Sequence, residues 1–390
     1  MLKECNLFRN SEPMEWWLNR VRANCIEEEI IKDHKKFIDE INGDINDFEN
    51  ISVENVLNGY EFEKSRLFEL LNDCRIDSYD YELLLHKRAT IHIKELFNHY
   101  VDDETLVVIS SFQHISAERE IEKCKHIIRL DEEDEHSNFI YNIDKVIDEG
   151  KKYKKVFVYI IGTEFESGRR HDNSTYKALH DKLNENNIPN IMVLDAVQEM
   201  FLYPRDYSFY HFVIGTVHSL YYLFDTGLLF INKNMVPEED IKSFTGYKRS
   251  DILDKINVGL RLALGRKEYI LMYNNIIEDS IDHNLFSGFS KHNSMPNFWS
   301  AYKQGKFLSD ECVKKFIDDT FVKHSLYKDP GFNVEISHHK SQDELFVRVR
   351  AQTMMFFPKE VEEKLFWFYN NYCRLAQLVI MTLEKGWHCK

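Results

Sequence analysis

The sequence predicts an α/β protein built on a mainly parallel sheet, with a helical segment before it and a smaller α+β domain after it. Three observations support this fold class. Between residues 105 and 235, short apolar runs rich in β-branched residues alternate with helical patterns, which is typical of βαβ units with helices on both sheet faces. The first hundred residues show helical periodicity, and two strand-like runs and a long helical pattern close the chain. These changes divide the chain into residues 1–100, 101–245 and 246–390.

The predicted elements follow in order along the chain. Helical spacing of apolar residues predicts helices over 23–41 and 81–101. Predicted strands cover residues 105–112, 127–131, 155–163, 188–195, 208–217 and 227–233. Further helices are predicted over 117–127, 139–153, 173–187 and 238–247, and from residue 250 onward. In the C-terminal domain, strands are predicted over 332–339 and 344–352 and a helix over 358–386.

The composition fits a globular protein of 390 residues, since 43% of them are hydrophobic and can form a sizeable core. A formal net charge of −15 disfavours a nucleic-acid partner. Seven scattered cysteines without a CxxC pair indicate a reducing compartment rather than a disulfide framework or a zinc site. Because the N-terminus has no apolar leader and no segment reaches membrane-spanning length, we expect a cytoplasmic protein without a membrane partner.

Polar residues that can bind a ligand lie at the ends of four of the predicted strands. Ser110 and Ser111 lie near the end of strand 105–112, Thr163 at the end of strand 155–163, Asp195 at the end of strand 188–195, and Thr216 near the end of strand 208–217. In a parallel sheet the carboxyl ends of the strands lie at one edge, where ligands of open α/β sheets bind. The sequence therefore predicts a small-molecule site at that edge.

In their order along the chain, the segments "SSFQH", "IIGTE", "LDAVQ" with "YPRD", and "GTVHS" resemble the cofactor site of fold-type-I enzymes that use pyridoxal 5′-phosphate (PLP). The resemblance is greatest to the class V aminotransferase and cysteine desulfurase branch. It covers residues 105–235 well and residues 340–375 faintly. It implies a seven-stranded, mainly parallel sheet, a PLP site and a homodimer.

The first two segments take their roles from that resemblance. His114 matches a His whose ring stacks on the pyridine ring of PLP. Ser110 and Ser111 lie in a strand-to-helix turn, where free backbone N–H groups suit a phosphate. In the second segment, Thr163 stands where the family often has an Asn that helps to hold the ring oxygen, so this segment matches less well.

The third segment matches best. The family pattern is an apolar run, Asp-Ala-x-Gln and then Pro-x-Asp, and Asp195, Gln198, Pro204 and Asp206 all fit it. The resemblance implies that Asp195 keeps the pyridine nitrogen protonated, so that the ring acts as an electron sink, and that Gln198 hydrogen-bonds the ring oxygen. Taken alone, an Asp after a strand is more often a helix cap.

The fourth segment departs from the family at one position. The family has Ser-x-His-Lys here, and its Lys forms the Schiff base with PLP. In this chain Thr216 stands two residues before His218, and Ser219 occupies the position of that Lys. Since Ser cannot form an imine, the covalent link expected of the family cannot form at this residue.

Three alternatives follow for the cofactor. In the first, PLP binds non-covalently and His218 acts as general acid or base, because imidazole titrates near neutral pH. In the second, Lys233 at the end of the next predicted strand supplies the amine. In the third, the pocket no longer binds PLP and takes another anionic ligand or a protein partner.

A weaker match lies in the C-terminal domain, where the family places an Arg for the substrate carboxylate. Arg350 is the first choice and Arg348 the second. We predict no metal site, because the adjacent His338 and His339 would point to opposite faces of a strand.

The sequence therefore predicts a PLP-fold protein that acts on a small amino acid or amino compound by lysine-independent chemistry. His218 and Ser219 are the candidate catalytic residues. The alternative is a non-catalytic or repurposed member of the fold, so the sequence leaves open whether the protein is an enzyme.

Overall fold

The structure, a computed structural model, describes residues 53–110, 113–133, 139–164, 170–217 and 226–264, together with the backbone of four later strands. The chain divides into two units. The larger unit comprises residues 41–165 and 169–260, and the smaller unit comprises residues 1–40, 166–168 and 261–390.

The larger unit contains a seven-stranded sheet flanked by helices. Its strands are β1 (Tyr81–His86), β2 (Thr105–Ile109), β3 (Ile127–Arg129), β6 (Lys155–Ile161), β7 (Asn190–Asp195), β8 (Phe212–Thr216) and β9 (Gly227–Asn232). Two more strands, β4 (Asp131–Glu133) and β5 (Phe139–Tyr141), pair with each other as a separate small sheet. The helices are α1 (Val53–Glu69), α2 (Ala89–Tyr100), α3 (Ile115–Ile121), α4 (Ile143–Gly150), α5 (Asn173–Glu185), α6 (Glu238–Ser243) and α7 (Ser250–Leu264).

The order of strands across the sheet is β1-β9-β8-β7-β6-β2-β3. The pairs β8–β7, β7–β6, β6–β2 and β2–β3 are parallel, whereas β9 is antiparallel to both of its neighbours, β8 and β1. The prediction of a mainly parallel sheet with flanking helices is therefore confirmed, with β9 as the one reversed strand of this sheet.

Helices cover both faces of the sheet. On one face, Ile93, Leu96 and Phe97 of α2 belong to a core with Tyr159 of β6 and Phe212 of β8. Because successive side chains alternate between faces, the neighbouring residues of the same strands point to the other face, where α1, α4 and α5 pack. Burial on both faces explains why β2, β8 and β9 are continuous apolar runs rather than alternating ones. Within the described residues, none of the helices combines the length and the apolar character needed to span a membrane.

Two of the predicted helices begin later than the sequence indicates. A helix was expected over residues 81–101, but Tyr81–His86 is strand β1 and the helix begins at Ala89. The run Leu83–Leu85 fits the helical period as well as the strand period. Tyr81–His86 forms a strand because it pairs with the whole length of β9. Likewise, the helix expected over 139–153 begins only at Ile143, because Phe139–Tyr141 pairs with β4.

In the smaller unit, the described residues form a four-stranded antiparallel sheet. Its strands are β10 (Gly288–Phe289), β11 (Trp299–Gln304), β12 (Asn333–His339) and β13 (Glu344–Arg350), in the order β10-β11-β13-β12. The two strands that the sequence predicts in this region are confirmed as β12 and β13. The helices predicted over 23–41 and 358–386 lie outside the described residues.

His211 connects strands near the start of β8 and gives a testable pH dependence. Its Nδ1 accepts a hydrogen bond from Met192 N (3.1 Å), and burial lowers the pKa of His211 from 6.5 to about 4. Below about pH 6.5 the imidazole of His211 therefore binds a proton in the unfolded chain, whereas in the folded protein it stays neutral down to about pH 4. As the pH falls from about 7.5 to about 5, we expect this group alone to lower the free energy of unfolding by about 2 kcal/mol.

The test compares His211→Asn, which keeps an acceptor for Met192 N, with the wild-type protein. Urea unfolding at a series of pH values should show a shallower loss of stability for the variant as the pH falls. Equal slopes for the two proteins would contradict the buried, neutral imidazole.

Candidate functional site

Four neighbouring parallel strands, β2, β6, β7 and β8, end at one edge of the large sheet. The register aligns Ile161 of β6, Asp195 of β7 and Ile214 of β8 in one row across the sheet. Ser110, Thr163 and Thr216 lie at the ends of the other three strands. The polar residues predicted from separate sequence segments therefore lie along a common edge, which we call the carboxyl edge.

Asp195 occupies the centre of this edge and is held at both carboxylate oxygens. The Tyr159 hydroxyl donates to Asp195 Oδ2 (2.7 Å), and Val197 N donates to Oδ1 (3.0 Å). The residue is only 6% exposed, and burial, opposed by these two hydrogen bonds, raises the pKa of Asp195 above its usual range. A buried, oriented carboxylate of this kind favours a cationic or hydrogen-donating partner.

The segment after β7 is a compact turn. Ala196 N donates to Ile214 O, and Met200 N donates to Ala196 O, so the turn packs against the end of β8. Gln198 lies in this turn, three residues after Asp195, and is buried. The structure therefore places both predicted ring-binding residues, Asp195 and Gln198, at the same strand end.

A buried ion pair fixes the same turn. The Arg205 guanidinium donates to Glu199 through Nε (2.6 Å) and Nη2 (2.9 Å), and its other contacts include Gly162 O (3.1 Å) and His171 O (2.9 Å). Burial raises the pKa of Glu199, but the charge and hydrogen bonds of Arg205, together with Arg170 and Thr163, outweigh burial and leave that pKa lowered. Because the pair joins the ends of β6 and β7, it sets the spacing of the carboxyl edge.

Ser110 ties β2 to β6. Its Oγ accepts from Ile161 N (3.1 Å) and from Gln113 Nε2 (2.7 Å), and the side chain is fully buried. Gln113 Nε2 also donates to Ser110 O (2.9 Å), which fixes the amide orientation, since a carbonyl can only accept. In this structure the Ser110 hydroxyl is engaged inside the protein, and its assignment to a phosphate stays a prediction.

His114 is the N-cap of α3. Its Nδ1 accepts from Ser116 N (3.2 Å), and because a backbone N–H can only donate, Nδ1 is unprotonated and the neutral ring carries its proton on Nε2. The Ser116 hydroxyl lies 3.0 Å from the Thr90 hydroxyl, which joins the first turns of α2 and α3. The half-buried imidazole is thereby fixed in orientation near the end of β2.

Thr216, the last residue of β8, is hydrogen-bonded to the residue that precedes β9. Its Oγ1 donates to Thr226 O (2.9 Å), and Val217 N donates to the same carbonyl. The two candidate catalytic residues, His218 and Ser219, lie outside the described residues, as does Ser111. Arg348 and Arg350 lie on β13 of the smaller unit, and their role in substrate binding stays a prediction.

Comparison with solved structures gives a consistent result. A NifS-like protein from Rickettsia africae has a TM-score of 0.59 at 12% identity, covering 90% of this chain and 95% of that one. A PLP-bound putative aminotransferase from Clostridium difficile has a TM-score of 0.59 at 10% identity, covering 93% and 88%. A lysine-to-alanine variant of serine palmitoyltransferase from S. paucimobilis, holding a PLP–myriocin adduct, has a TM-score of 0.55 at 9% identity, covering 90% and 84%.

This chain has the fold of type I PLP-dependent enzymes. At such low identities the similarity concerns the fold and does not extend to activity. No family model matches the sequence. No curated protein matches it either.

The direction of β9 excludes one of the alternatives for the Schiff-base lysine. Lys233 follows β9, which runs antiparallel to β8, so it lies at the opposite edge of the sheet, where its backbone N–H donates to Asp80 O. The six residues of β9 span roughly 17–20 Å, farther than a Lys side chain reaches. The proposal that Lys233 supplies the amine is therefore wrong.

Sequence reasoning missed three residues that organise the carboxyl edge: Tyr159, Gln113 and Arg205. The signal for Tyr159 is that it carries the one hydroxyl within the apolar run of β6. Arg205 lies within "YPRD", between the two residues that match the family pattern, Pro204 and Asp206. Asp206 itself pairs with Arg75 (3.1 Å) at the protein surface.

Proposed function

We propose that the carboxyl edge of this PLP-fold protein binds PLP, or an adduct of PLP with an amino compound, without a covalent bond to the chain. The observation that carries the proposal is the buried carboxylate of Asp195, oriented by Tyr159 and Val197 N at the centre of the edge. The raised pKa of Asp195 shows that burial disfavours its charge. A pyridinium N–H would supply the compensating charge and a hydrogen-bond donor at that carboxylate.

The other predicted residues complete the proposed site. Gln198, on the same turn, would meet the ring oxygen, and the fixed imidazole of His114 would stack on the ring. The turn after β2, with Ser110 and Ser111, and Thr216 at the end of β8 would bind the phosphate. Together these residues would supply the donors and acceptors that PLP needs.

When bound, PLP supplies an electron sink for carbon centres next to an amino group. Asp195, whose two oxygens are oriented by Tyr159 and Val197 N, would hold a proton on the ring nitrogen. His218 would move the proton at the substrate carbon, because Ser219 stands where the family has Lys. Under this proposal the protein acts, as a homodimer, on a small amino acid or amino compound, and a monomer by light scattering would count against it.

The direct test is equilibrium binding of PLP and of its amine form, pyridoxamine 5′-phosphate. We expect the wild-type protein to bind both, and Asp195→Asn to weaken binding about 10- to 100-fold, because a hydrogen bond to a charged group contributes roughly 1.5–3 kcal/mol. Asp181→Asn, which removes a carboxylate paired with Lys177 on the surface of α5, is the matched control and should bind like wild type.

A second variant tests the position of Ser219. Ser219→Lys restores the residue of the family, and we expect it to retain PLP through denaturation after borohydride reduction, detected as a gain in mass. The wild-type protein should lose PLP under the same treatment. If neither wild type nor Ser219→Lys binds PLP, the proposal fails and the edge serves another ligand.

A further inference from the structure

Three side chains of types that can ligate a metal meet beside the end of β6. They are Asp131, Glu164 and His171, and their ligand atoms all lie within 4.8 Å of one another. His171 Nε2 lies 3.3 Å from Glu164 Oε1. Their exposed fractions are 0%, 0% and 2%, so this group, which we call the buried triad, differs from an acidic cluster on a surface.

Backbone pairing brings the buried triad together. In the small sheet, Asp131 of β4 stands directly opposite Tyr141 of β5, so the two side chains share a face. An antiparallel bridge between Thr163 and Arg170, with a hydrogen bond from His171 N to Gly162 O, joins the segments that carry Glu164 and His171. Backbone pairing therefore fixes both segments, and the two side chains meet with Nε2 and Oε1 3.3 Å apart.

The imidazole of the buried triad is held in the manner of a metal ligand. The Tyr141 hydroxyl lies 3.0 Å from His171 Nδ1, and the Tyr176 ring stacks on the imidazole with centroids 5.8 Å apart. A His that ligates a metal usually engages its other ring nitrogen in a hydrogen bond that fixes tautomer and orientation. Here that partner is Tyr141, and Nε2 faces Glu164.

The charge of the buried triad also favours a cation. Two carboxylates and one imidazole carry a net negative charge whether or not the imidazole is protonated.

We propose that Asp131, Glu164 and His171 bind a divalent transition-metal ion, with Zn²⁺ preferred among the common ions. An imidazole nitrogen among the ligands selects against Mg²⁺ and Ca²⁺, which take oxygen ligands, and Zn²⁺ exceeds Mn²⁺ in the usual order of affinities. Ligands bonded to a tetrahedral Zn²⁺ at about 2.0–2.1 Å lie about 3.3–3.4 Å apart, which matches the separation of His171 Nε2 and Glu164 Oε1. The ion joins β4 and β5 to the end of β6.

The experiment is calorimetric titration of Zn²⁺ into the full-length protein after EDTA treatment and dialysis, without PLP. We expect one tight site in the wild-type protein and no comparable site for Mg²⁺. Glu164→Gln and His171→Gln, which keep the size of the side chains, should each weaken that site more than 100-fold. Tyr141→Phe should weaken it about 10- to 100-fold, because it removes only the hydroxyl beside His171 Nδ1.

His180→Gln is the matched control. His180 is a half-buried imidazole 3.4 Å from a carboxylate oxygen of Asp181, outside the buried triad, and its loss should leave the tight site unchanged. This control matters because the chain has 17 His and seven Cys that can bind Zn²⁺ weakly.

Circular dichroism checks that each variant is folded, and Tyr141→Phe, the mildest change, decides the question if the other variants are not. The proposal is overturned if wild type lacks a tight site, or if Tyr141→Phe binds Zn²⁺ as tightly as wild type. The triad would then be a hydrogen-bonded imidazole–carboxylate group. Failure of PLP binding would not affect this result, because the titration contains no PLP.

Discussion

Arg205→Met is expected to lower the free energy of unfolding by about 3–5 kcal/mol, the range for breaking one partner of a buried ion pair. The change leaves the carboxylate of Glu199 buried without its guanidinium. It also removes the N–H groups that donate hydrogen bonds to Gly162 O and His171 O. Since whole domains are stable by about 5–15 kcal/mol, the loss is a large fraction of the total. Equilibrium unfolding in guanidinium chloride measures it.

The control for this prediction is Arg75→Met, which breaks an ion pair with Asp206. The Arg75 side chain is 75% exposed, and an exposed pair contributes only about 0–1 kcal/mol. A double variant, Glu199→Gln with Arg205→Met, should lose less than the sum of the two single changes, because neither charge is then buried alone. Equal effects of Arg205→Met and Arg75→Met would show that the buried pair does not stabilise the fold.

Gly227→Ala is expected to destabilise the protein by about 1–3 kcal/mol or more. A Cβ at the start of β9 would lie 2.2 Å from Ala89 N and 2.4 Å from the carbonyl carbon of Arg88. These are backbone atoms at the beginning of α2, so relief requires a shift of the helix or of the strand. The thermal midpoint and the free energy of unfolding should both fall.

Gly59→Ala provides a control with the opposite sign. Gly59 lies inside α1, and an added Cβ would meet Ser250 Cβ at 3.6 Å, an ordinary contact. Since Ala favours a helix interior over Gly by roughly 0.5–1 kcal/mol, this variant should be slightly more stable than wild type. If Gly227→Ala did not lower the free energy of unfolding relative to Gly59→Ala, this result would contradict the close approach of α2 to β9.

The sequence by itself predicts the parallel strands of the large sheet and its flanking helices. Apolar runs such as those of β2, β7 and β8, separated by helical patterns, predict parallel strands because burial on both faces requires continuous apolar residues. The position of Asp195 and Gln198 at a strand end followed from the same pattern. The resemblance to the PLP fold rested on those motifs, and the structural comparisons bear out the fold.

Short segments that fit more than one period could not be assigned from sequence. Tyr81–His86 contains three consecutive Leu residues that suit a helix as well as a strand, and only pairing with β9 distinguishes them. The direction of β9 was equally hidden, because an apolar run reads the same in either orientation. The direction of β9 also determines where Lys233 lies. Sequence order suggested that Lys233 is near the site, but because β9 is antiparallel to β8, Lys233 lies at the opposite edge of the sheet.

What the sequence determined was the class of fold and the edge where the polar residues gather, since both depend on local periodicity and on which residues follow each strand. What only the tertiary structure decided was which side chains meet. Tyr159 reaches Asp195, Arg205 reaches Glu199, and the buried triad draws on Asp131 and His171 from different elements. Such contacts arise from strand register and loop closure. These bring together residues whose separation along the chain does not predict that they will be in contact.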